Sequence, residues 1–320
     1  MSELIDISKG LPPFNHSEWI GTGRRLPDDP DKIPIGFRLF CDTLLEIPEE
    51  FEASLYPDPK LSAEQFLNIP LPRKSHHLPQ VHANMCFTSL PVNTEPEQLR
   101  DRVLPPLPFI DKVLAHIYQA VANGVESIEY PTYPGSRLPL WSVSYLKKMY
   151  QLHDIQMRWR AGLEWVDKHL TKAGLPQVLF ETARHYLNIL RWDEPTEIPG
   201  SGTGTTTHDF AAYLSDDVKM NDVHINMMFS HLGERIEKDD TFDAIVVVEN
   251  MRFMHEIDKA TSADYFHGSP TRLMSRLEQR LEIRGADTMI FPAFLDSQKH
   301  WLTFKLDFEK FELSYGEWGC

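Results

Sequence analysis

The chain has 320 residues, about the length of two ordinary domains. Hydrophobic residues make up 42% and charged residues 25%, which allows a sizeable buried core and argues against wholesale disorder. Lys and Arg number 32 against 47 Asp and Glu, giving a net charge of −15. Because a field of this sign repels phosphate groups, the chain as a whole is not expected to bind nucleic acid or anionic membrane, unless one basic face is segregated.

Cysteine usage and the N-terminal sequence indicate the compartment. Cys41, Cys86 and Cys320 are too few for a disulfide framework, which suits a reducing environment. The first residues contain no apolar core of the length that a signal peptide needs, and no apolar run approaches the about 18 residues of a membrane span. We therefore expect a soluble intracellular protein of the nucleus or cytoplasm, with neither nucleic acid nor membrane as a partner.

Proline dominates residues 1–107, where stretches such as LPDDPDKIPIG and VLPPLP repeatedly interrupt regular structure. We predict an irregular region with short helices at 35–46 and 62–68, and a small buried strand around Cys86. This region is expected either to pack onto its neighbours or to be partly disordered.

The densest group of potential metal ligands lies in the same region. It comprises His76, His77, His82 and Cys86. Their spacing matches no closed zinc pattern, and Pro79 breaks any helix that would align them. The two interpretations are a metal site and a polar loop, and the spacing favours the loop. We therefore predict no metal and no cofactor.

Helical periodicity is clear from 108 to 193, which we predict to be a helical accessory region. Apolar residues recur at i, i+3, i+4 and i+7 within 109–123, and Gly124 ends this pattern. Similar patterns run through 139–171 and 176–191. The longest helix has one apolar stripe, consisting of Trp141, Tyr145, Met149, Leu152, Trp159, Leu163, Val166 and Leu170.

The longest predicted helix also carries basic residues on its other faces. They are Lys147, Lys148, Arg158, Arg160, Lys168 and Lys172. A basic helix with tryptophans at 159 and 165 fits nucleic-acid binding. It also fits a solvated face over a core stripe, and the acidity of the chain favours this second interpretation.

Residues 194–207, EPTEIPGSGTGTTT, combine Pro, Gly and Thr with no apolar period and are predicted to be a linker. Their three glycines resemble a phosphate-binding loop, but no convincing strand precedes them and no helix start follows, so the linker is favoured. The acidic stretch from His208 to Asp217 is interpreted as the polar approach to a helix rather than as a carboxylate site.

The pattern becomes mixed helix and strand over 208–320. Helices are predicted at 221–236 and from Ser269 to about Gly285. Strands are predicted at 244–248, 250–255, 288–293, 301–306 and 311–315. The predicted fold class is therefore α+β, with a mostly helical N-terminal region before it.

The last two predicted strands bring a histidine and a carboxylate together. If the turn centres between Phe308 and Glu309, His300 lies directly opposite Glu317, with about 4.5–5.5 Å between their Cβ atoms. At that separation the carboxylate can orient the imidazole, as the acid does for the base of a catalytic triad. The alternative interpretation is a cross-strand His–Glu pair on the surface.

Two motifs in 208–317 point to a family. The first is His300-Trp301 at the start of a strand, with the next strand ending in Tyr315-Gly316-Glu317. The second is YLSDDVKMNDVHIN at 213–226. Both resemble the ubiquitin-like-protein-specific (SUMO-specific) cysteine proteases, in which a His-Trp pair opens one strand, a Tyr-Asp-Ser or Tyr-Gly-Asp-Ser string closes the next, and a helix with a similar Ile-Asn string leads the domain. The segment from Leu138 through the long helix is similar to the region that precedes this domain in fungal members.

This resemblance implies a papain-like cysteine protease domain over 208–320, with roles for particular residues. His300 would be the general base, Glu317 would stand where the family has Asp, and Trp301 would be the aromatic wall beside the imidazole, in contact with substrate. Asp222 and Asn226 would have structural roles in the leading helix. The partner implied is a SUMO-type ubiquitin-like modifier or its conjugates.

The sequence departs from the family at the nucleophile. Members place a Gln and an Asp-Cys-Gly several dozen residues after the acid, and here the acid position is followed closely by Cys320. Cys320 has no helix N-terminus behind it, and Cys41 and Cys86 precede the domain, so none is expected to be the nucleophile. We therefore expect a truncated family member that is inactive as a cysteine (iso)peptidase. The alternative is a non-catalytic module that binds a ubiquitin-like protein or another protein.

Overall fold

The structure is a computed structural model. It describes residues 15, 18–27, 29, 32–170, 176–196, 205–211, 222–238, 246–251, 253–254, 257, 275, 278–279, 281–282, 285–295 and 300–317. The chain divides into two compact units, Met1–Trp192 and Asp193–Cys320. Described helices and strands occur in both units, in agreement with the predicted mixture of helix and sheet.

The first unit is built mainly from helices. In the described part of this unit the α-helices are α1 (Ile35–Leu45), α2 (Glu49–Leu55), α3 (Ala63–Leu67), α4 (Leu107–Ala122), α5 (Ser142–Leu170) and α6 (Gln177–Ile189). Among the described residues, 3₁₀ helices span Ala83–Cys86 and Pro96–Asp101, and the short strands β1 (Phe87–Thr88) and β2 (Ser127–Ile128) pair antiparallel. Both the proline-rich residues 1–107 and the predicted helical region contribute to this unit.

Helix α5 supplies much of the core of the first unit. Six members of its predicted apolar stripe are buried: Trp141, Tyr145, Met149, Leu152, Trp159 and Val166. The Trp159 indole donates a hydrogen bond to the carbonyl oxygen of Trp192 over 3.1 Å. The Trp192 ring in turn stacks on Phe66 of α3 with 4.2 Å between centroids. This stack joins the proline-rich region to the end of α6.

The predicted helices agree with α1, α3, α4, α5 and α6 to within a few residues. Gly124 follows α4 with a φ of 80°, a left-handed conformation that glycine adopts without strain, so it ends the helix as predicted. The predicted strand around Cys86 is wrong, because Ala83–Cys86 is a 3₁₀ helix and pairing begins only at Phe87.

The described part of the second unit holds a four-stranded sheet and, besides shorter helical stretches, two helices with described bounds. The helices are α7 (Thr207–Ala211) and α8 (Asp222–Lys238). The strands are β3 (Val246–Val248), β4 (Thr288–Leu295), β5 (His300–Asp307) and β6 (Glu312–Glu317). The order is β3-β4-β5-β6, with β3 parallel to β4 and the other neighbours antiparallel. Strands at 244–248, 288–293, 301–306 and 311–315 and the helix at 221–236 are thus confirmed over the described residues.

One face of this sheet carries the hydrophobic core of the unit. Val247 of β3 packs there with Met289 and Phe291 of β4 and with Phe253. Phe253 and Met254 are helical, so the predicted strand at 250–255 is wrong. The amide of Phe253 donates to the carbonyl of Asn250 over 3.0 Å, which turns the chain directly after β3.

The segment before β4 ends as a helix typically does. Gly285 has a φ of 60°, and its amide bonds to the carbonyl of Glu282 while the amide of Ala286 bonds to that of Leu281. This pair of bonds is the Schellman motif, which requires the left-handed residue that Gly285 supplies. The predicted helix end near Gly285 is confirmed, whereas its predicted start at Ser269 lies outside the described residues.

The predicted linker has paired ends. Pro195 and Thr206 form an antiparallel bridge, flanked by hydrogen bonds from Thr196 to the carbonyl of Thr205 and from Thr207 to the carbonyl of Glu194, each 2.9 Å long. The three glycines considered as a phosphate loop lie outside the described residues. The two ends of 194–207 therefore belong to one hydrogen-bonded structure in the second unit.

Candidate functional site

Strands β5 and β6 bear the predicted catalytic pair, but their register differs from the predicted one. Asp307 lies opposite Glu312 and Leu302 lies opposite Glu317. His300 is instead opposite Leu295 of β4, and the expectation that it faces Glu317 is wrong by two residues. The two positions are still diagonal neighbours on one face, and residues so placed are separated by about 7–8 Å. The side chain of Glu317 lies outside the described part of the structure.

The connection between the two strands explains the change of register. It contains four residues, 308–311, and it is held by Asp307, whose carboxylate accepts from the Lys310 amide over 3.0 Å and binds the Lys310 ammonium at 2.9 Å. Phe311 closes the turn with a φ of 53°, which is rare for a residue other than glycine. The hairpin therefore turns one residue later than predicted.

His300 is the first residue of β5 and is half-buried at the end of the sheet. It lies on the same face as Phe291 and Phe304, because residues at even spacing along a strand share a face. Among the side chains that the structure describes, none hydrogen-bonds to its imidazole. In its described surroundings, the His300 imidazole lies on the apolar face of the sheet and no acid side chain orients it.

Trp301 lies on the other face of the sheet from His300, since successive strand residues alternate between faces. Its ring packs against Phe294 of β4, directly opposite, with 4.8 Å between ring centroids. The expectation that Trp301 forms a wall beside the imidazole is therefore wrong. The predicted contact between Trp301 and substrate stays a prediction. It would take place on the face of the sheet where Trp301 packs against Phe294, which is 39% exposed.

Helix α8 carries the residues predicted to have structural roles. The Asn226 side-chain oxygen accepts a hydrogen bond from the Met251 amide over 2.9 Å, which fastens the turn after β3 to the helix and confirms a structural role for Asn226. Asp222 is the first residue of α8, where a carboxylate is favoured by the helix dipole. Residues 213–221 of the string at 213–226 lie outside the described residues.

His224 on α8 predicts a pH dependence of stability. Its side chain is buried, and burial lowers its pKa to about 4. Between about pH 6.5 and pH 4 the unfolded chain therefore takes up a proton that the folded chain does not. The free energy of unfolding thus decreases as the pH is lowered through this window, and the full stability is present above about pH 6.5. We expect His224 to remove about 2 kcal/mol of stability at about pH 5 relative to pH 8.

Urea unfolding of wild type and His224→Gln at the two pH values measures this contribution. The variant should lose less stability on acidification than wild type. His231→Gln provides the matched control, because His231 is exposed on the same helix and should leave the pH dependence unchanged. An equal loss in wild type and His224→Gln would contradict the assignment.

The two described cysteines are not suited to nucleophilic chemistry. Cys41 in α1 and Cys86 are each only 1% exposed and lie in the first unit. Burial, together with the neighbouring Asp42, raises the pKa of Cys41 to about 12. Burial raises that of Cys86 to about 11. Both are thus protonated near neutral pH, and Cys320 lies outside the described residues.

The metal and nucleic-acid alternatives gain no support from the described residues. His77 and His82 are exposed while Cys86 is buried, and no group of three His, Cys, Asp or Glu side chains in the described ranges is arranged to hold a metal ion. On α5, Trp159 is fully buried, so it has no face on which a base could stack.

The structure also joins residues that sequence reasoning left apart. The His208 Nδ1 atom lies 2.7 Å from the Thr206 hydroxyl and 3.2 Å from an Asp193 carboxylate oxygen. The acidic stretch beginning at His208 was interpreted only as the approach to a helix, and Asp193 lies 15 residues away. No local pattern connects the two, because the bridge between Pro195 and Thr206 is what brings them together.

Comparisons with known proteins add no relative. The chain matches no family model, no curated protein and no solved structure. Across the described part of the chain, no helix is both long and apolar enough to cross a membrane.

Proposed function

We propose that the second unit, Asp193–Cys320, is a domain of the ubiquitin-like-protease type, with a papain-like fold, that binds a SUMO-type modifier rather than cleaving it. The proposal starts from the His-Trp and leading-helix motifs. The mixed sheet, with His300 as the first residue of β5 and α8 fastened to the turn after β3, supports it.

The apolar row across β4, β5 and β6 is the observation that carries binding. Phe291, Phe304 and Tyr315 lie side by side on one face, with ring centroids 5.6 Å and 6.0 Å apart. Phe291 is 4% exposed, whereas Tyr315 is 69% and its neighbour Leu313 is 59% exposed. The core face thus continues onto an exposed apolar strand at the edge of the described sheet, where an extended segment can add by backbone pairing.

A modifier with an extended tail is the partner that fits this edge. Backbone groups of β6 would pair with the tail, while Leu313 and Tyr315 would take its apolar side chains or the adjoining surface of the modifier. Hydrolysis is not part of the proposal, because Cys41 and Cys86 are buried and protonated and no described acid orients His300.

Nuclear magnetic resonance titration of the full chain with SUMO and with ubiquitin tests binding. We expect chemical-shift changes in β5 and β6 with SUMO, and about tenfold weaker binding for Tyr315→Glu. Ser314→Glu is the matched control, because Ser314 is exposed on the same strand but faces the opposite side. An absence of shift changes at high micromolar modifier would refute binding.

A SUMO vinyl sulfone distinguishes binding from cleavage. We expect no covalent adduct with wild type. An adduct that is lost in both Cys320→Ser and His300→Ala would contradict the proposal and would indicate a cysteine peptidase that uses Cys320 as nucleophile and His300 as base.

A further inference from the structure

A groove in the first unit plays no part in the function proposed above. It has a volume of about 730 Å³ and lies between residues 78–85 and helix α4. Its volume is in the range of clefts that bind ligands and short peptide segments. It belongs entirely to Met1–Trp192, so it is independent of the sheet that carries His300.

The walls of the groove expose apolar side chains to solvent. Met85 is 72% exposed, Leu78 is 61% exposed and Val81 is 44% exposed. All three lie within a segment of eight residues, so they form a cluster. Phe109 of α4 also lines the groove and is 3% exposed. Clustered exposed apolar side chains of this kind mark interaction sites more often than scattered ones do.

The charge of the groove is opposite to that of the chain. Lys112, His82 and His116 line it, and no carboxylate does, although the chain carries a net charge of −15. The neighbouring Asp111 forms an ion pair with Lys147 at 3.1 Å. Within the described ranges, Lys112 has no carboxylate partner of its own. An acidic ligand would therefore find a local cation in an otherwise repelling surface.

We propose that this groove binds a short acidic peptide segment of a partner protein, with one large apolar side chain seated between Met85 and Phe109 and a carboxylate at Lys112. The apolar side chain supplies most of the affinity, and the charge contact supplies selectivity and a faster encounter. A single-stranded nucleic acid fits less well, because the Phe109 ring is buried and the described lining offers no exposed Phe, Tyr or Trp ring for base stacking.

Fluorescence anisotropy with the full chain tests this proposal. The probe is a fluorescein-labelled peptide, Glu-Asp-Glu-Leu-Phe-Asp-Glu-Leu, and its counterpart has Lys at every acidic position. We expect the acidic peptide to bind, the basic one not to bind, and the affinity to fall as salt is raised. Met85→Glu and Lys112→Glu should each weaken binding by about tenfold or more.

Two surface variants outside the groove are matched to these changes. Leu179→Glu places the same charge at an apolar position of α6 that is 62% exposed, and Lys60→Glu reverses a charge in an exposed turn. Both should bind the acidic peptide as wild type does. Far-UV circular dichroism of all four variants verifies that each one is folded.

Three results would overturn the proposal. They are the absence of binding by folded wild type, equal binding of the acidic and basic peptides, and unchanged binding by Met85→Glu and Lys112→Glu. Binding of a labelled single-stranded oligonucleotide that Lys112→Glu abolishes, without binding of the acidic peptide, would assign the groove to nucleic acid instead.

Discussion

Replacing Trp159 by Ala is expected to lower the free energy of unfolding of the first unit by about 4 kcal/mol. The side chain is fully buried in α5, so its removal leaves a large cavity among well-packed neighbours. It also removes the donor to the Trp192 carbonyl, 3.1 Å away. A buried acceptor left unpaired costs about 1–3 kcal/mol, which is included in the expected loss. Urea unfolding monitored by far-UV circular dichroism measures the change.

Two further variants separate packing from hydrogen bonding at this position. Trp159→Phe keeps most of the apolar volume but lacks the indole N–H, so its loss should be intermediate. Met157→Ala lies two residues away on the same helix and is 57% exposed, so it should change stability by less than about 1 kcal/mol. A loss below about 1 kcal/mol for Trp159→Ala would show that the indole is not central to the core.

The effect of Trp159→Ala should also extend to the proline-rich region. Trp192 is held between the Trp159 indole, the Phe66 ring and the Asp58 carbonyl, which accepts from the Trp192 indole over 2.9 Å. Loss of one of these contacts should increase amide hydrogen exchange in residues 58–67 as well as in α5. Unchanged protection there would mean that α3 is held independently of this stack.

Phe291→Ala is expected to destabilise the second unit by about 3–4 kcal/mol. Phe291 is 4% exposed and contacts two other rings, Phe253 edge-on at 4.8 Å and Phe304 stacked at 5.6 Å between centroids. Each aromatic contact contributes beyond the area it buries. Because Phe291 of β4 packs against Phe304 of β5, the loss of this ring should reduce the protection of amides in both strands.

Hydrogen exchange of the full chain, followed by mass spectrometry of peptides from 288–307, measures this effect. Tyr315→Ala is the matched control, because Tyr315 belongs to the same aromatic row but is 69% exposed. The control should leave protection of β4 unchanged. Similar effects of both variants would indicate that burial along the row does not decide the stability of the sheet.

Periodicity and turn chemistry predicted the helices and strands well where one physical signal dominates. In α4 the apolar spacing and Gly124 agree, and in α5 the apolar stripe is the one that the core buries. Periodicity served less well on α6, where Val178 and Leu179 are more than 60% exposed although their spacing suits a core face. A helical pattern identifies a helix, but it does not show which apolar residues a neighbour will cover.

The predicted pairing of His300 with Glu317 depended on where the turn between β5 and β6 lies. The sequence alone did not contain enough information to place that turn. A left-handed Phe311 is rare, and the Asp307–Lys310 contacts that favour this turn are evident only once the loop is formed. A shift of this kind keeps His300 and the position of Glu317 on one face but separates them along the strands. The Trp301 error has a simpler origin, since adjacent strand residues cannot share a face.

The bridge between Pro195 and Thr206 changes what residues 194–207 can do for the chain. The length of a flexible linker sets how far two domains can reach. Here Pro195 and Thr206 are paired, so a longer insertion between 196 and 205 would lengthen a segment whose two ends are already held together. Loop-closure entropy rises by only about 0.6 kcal/mol per doubling of length. An insertion between 196 and 205 is therefore expected to cost the second unit little stability.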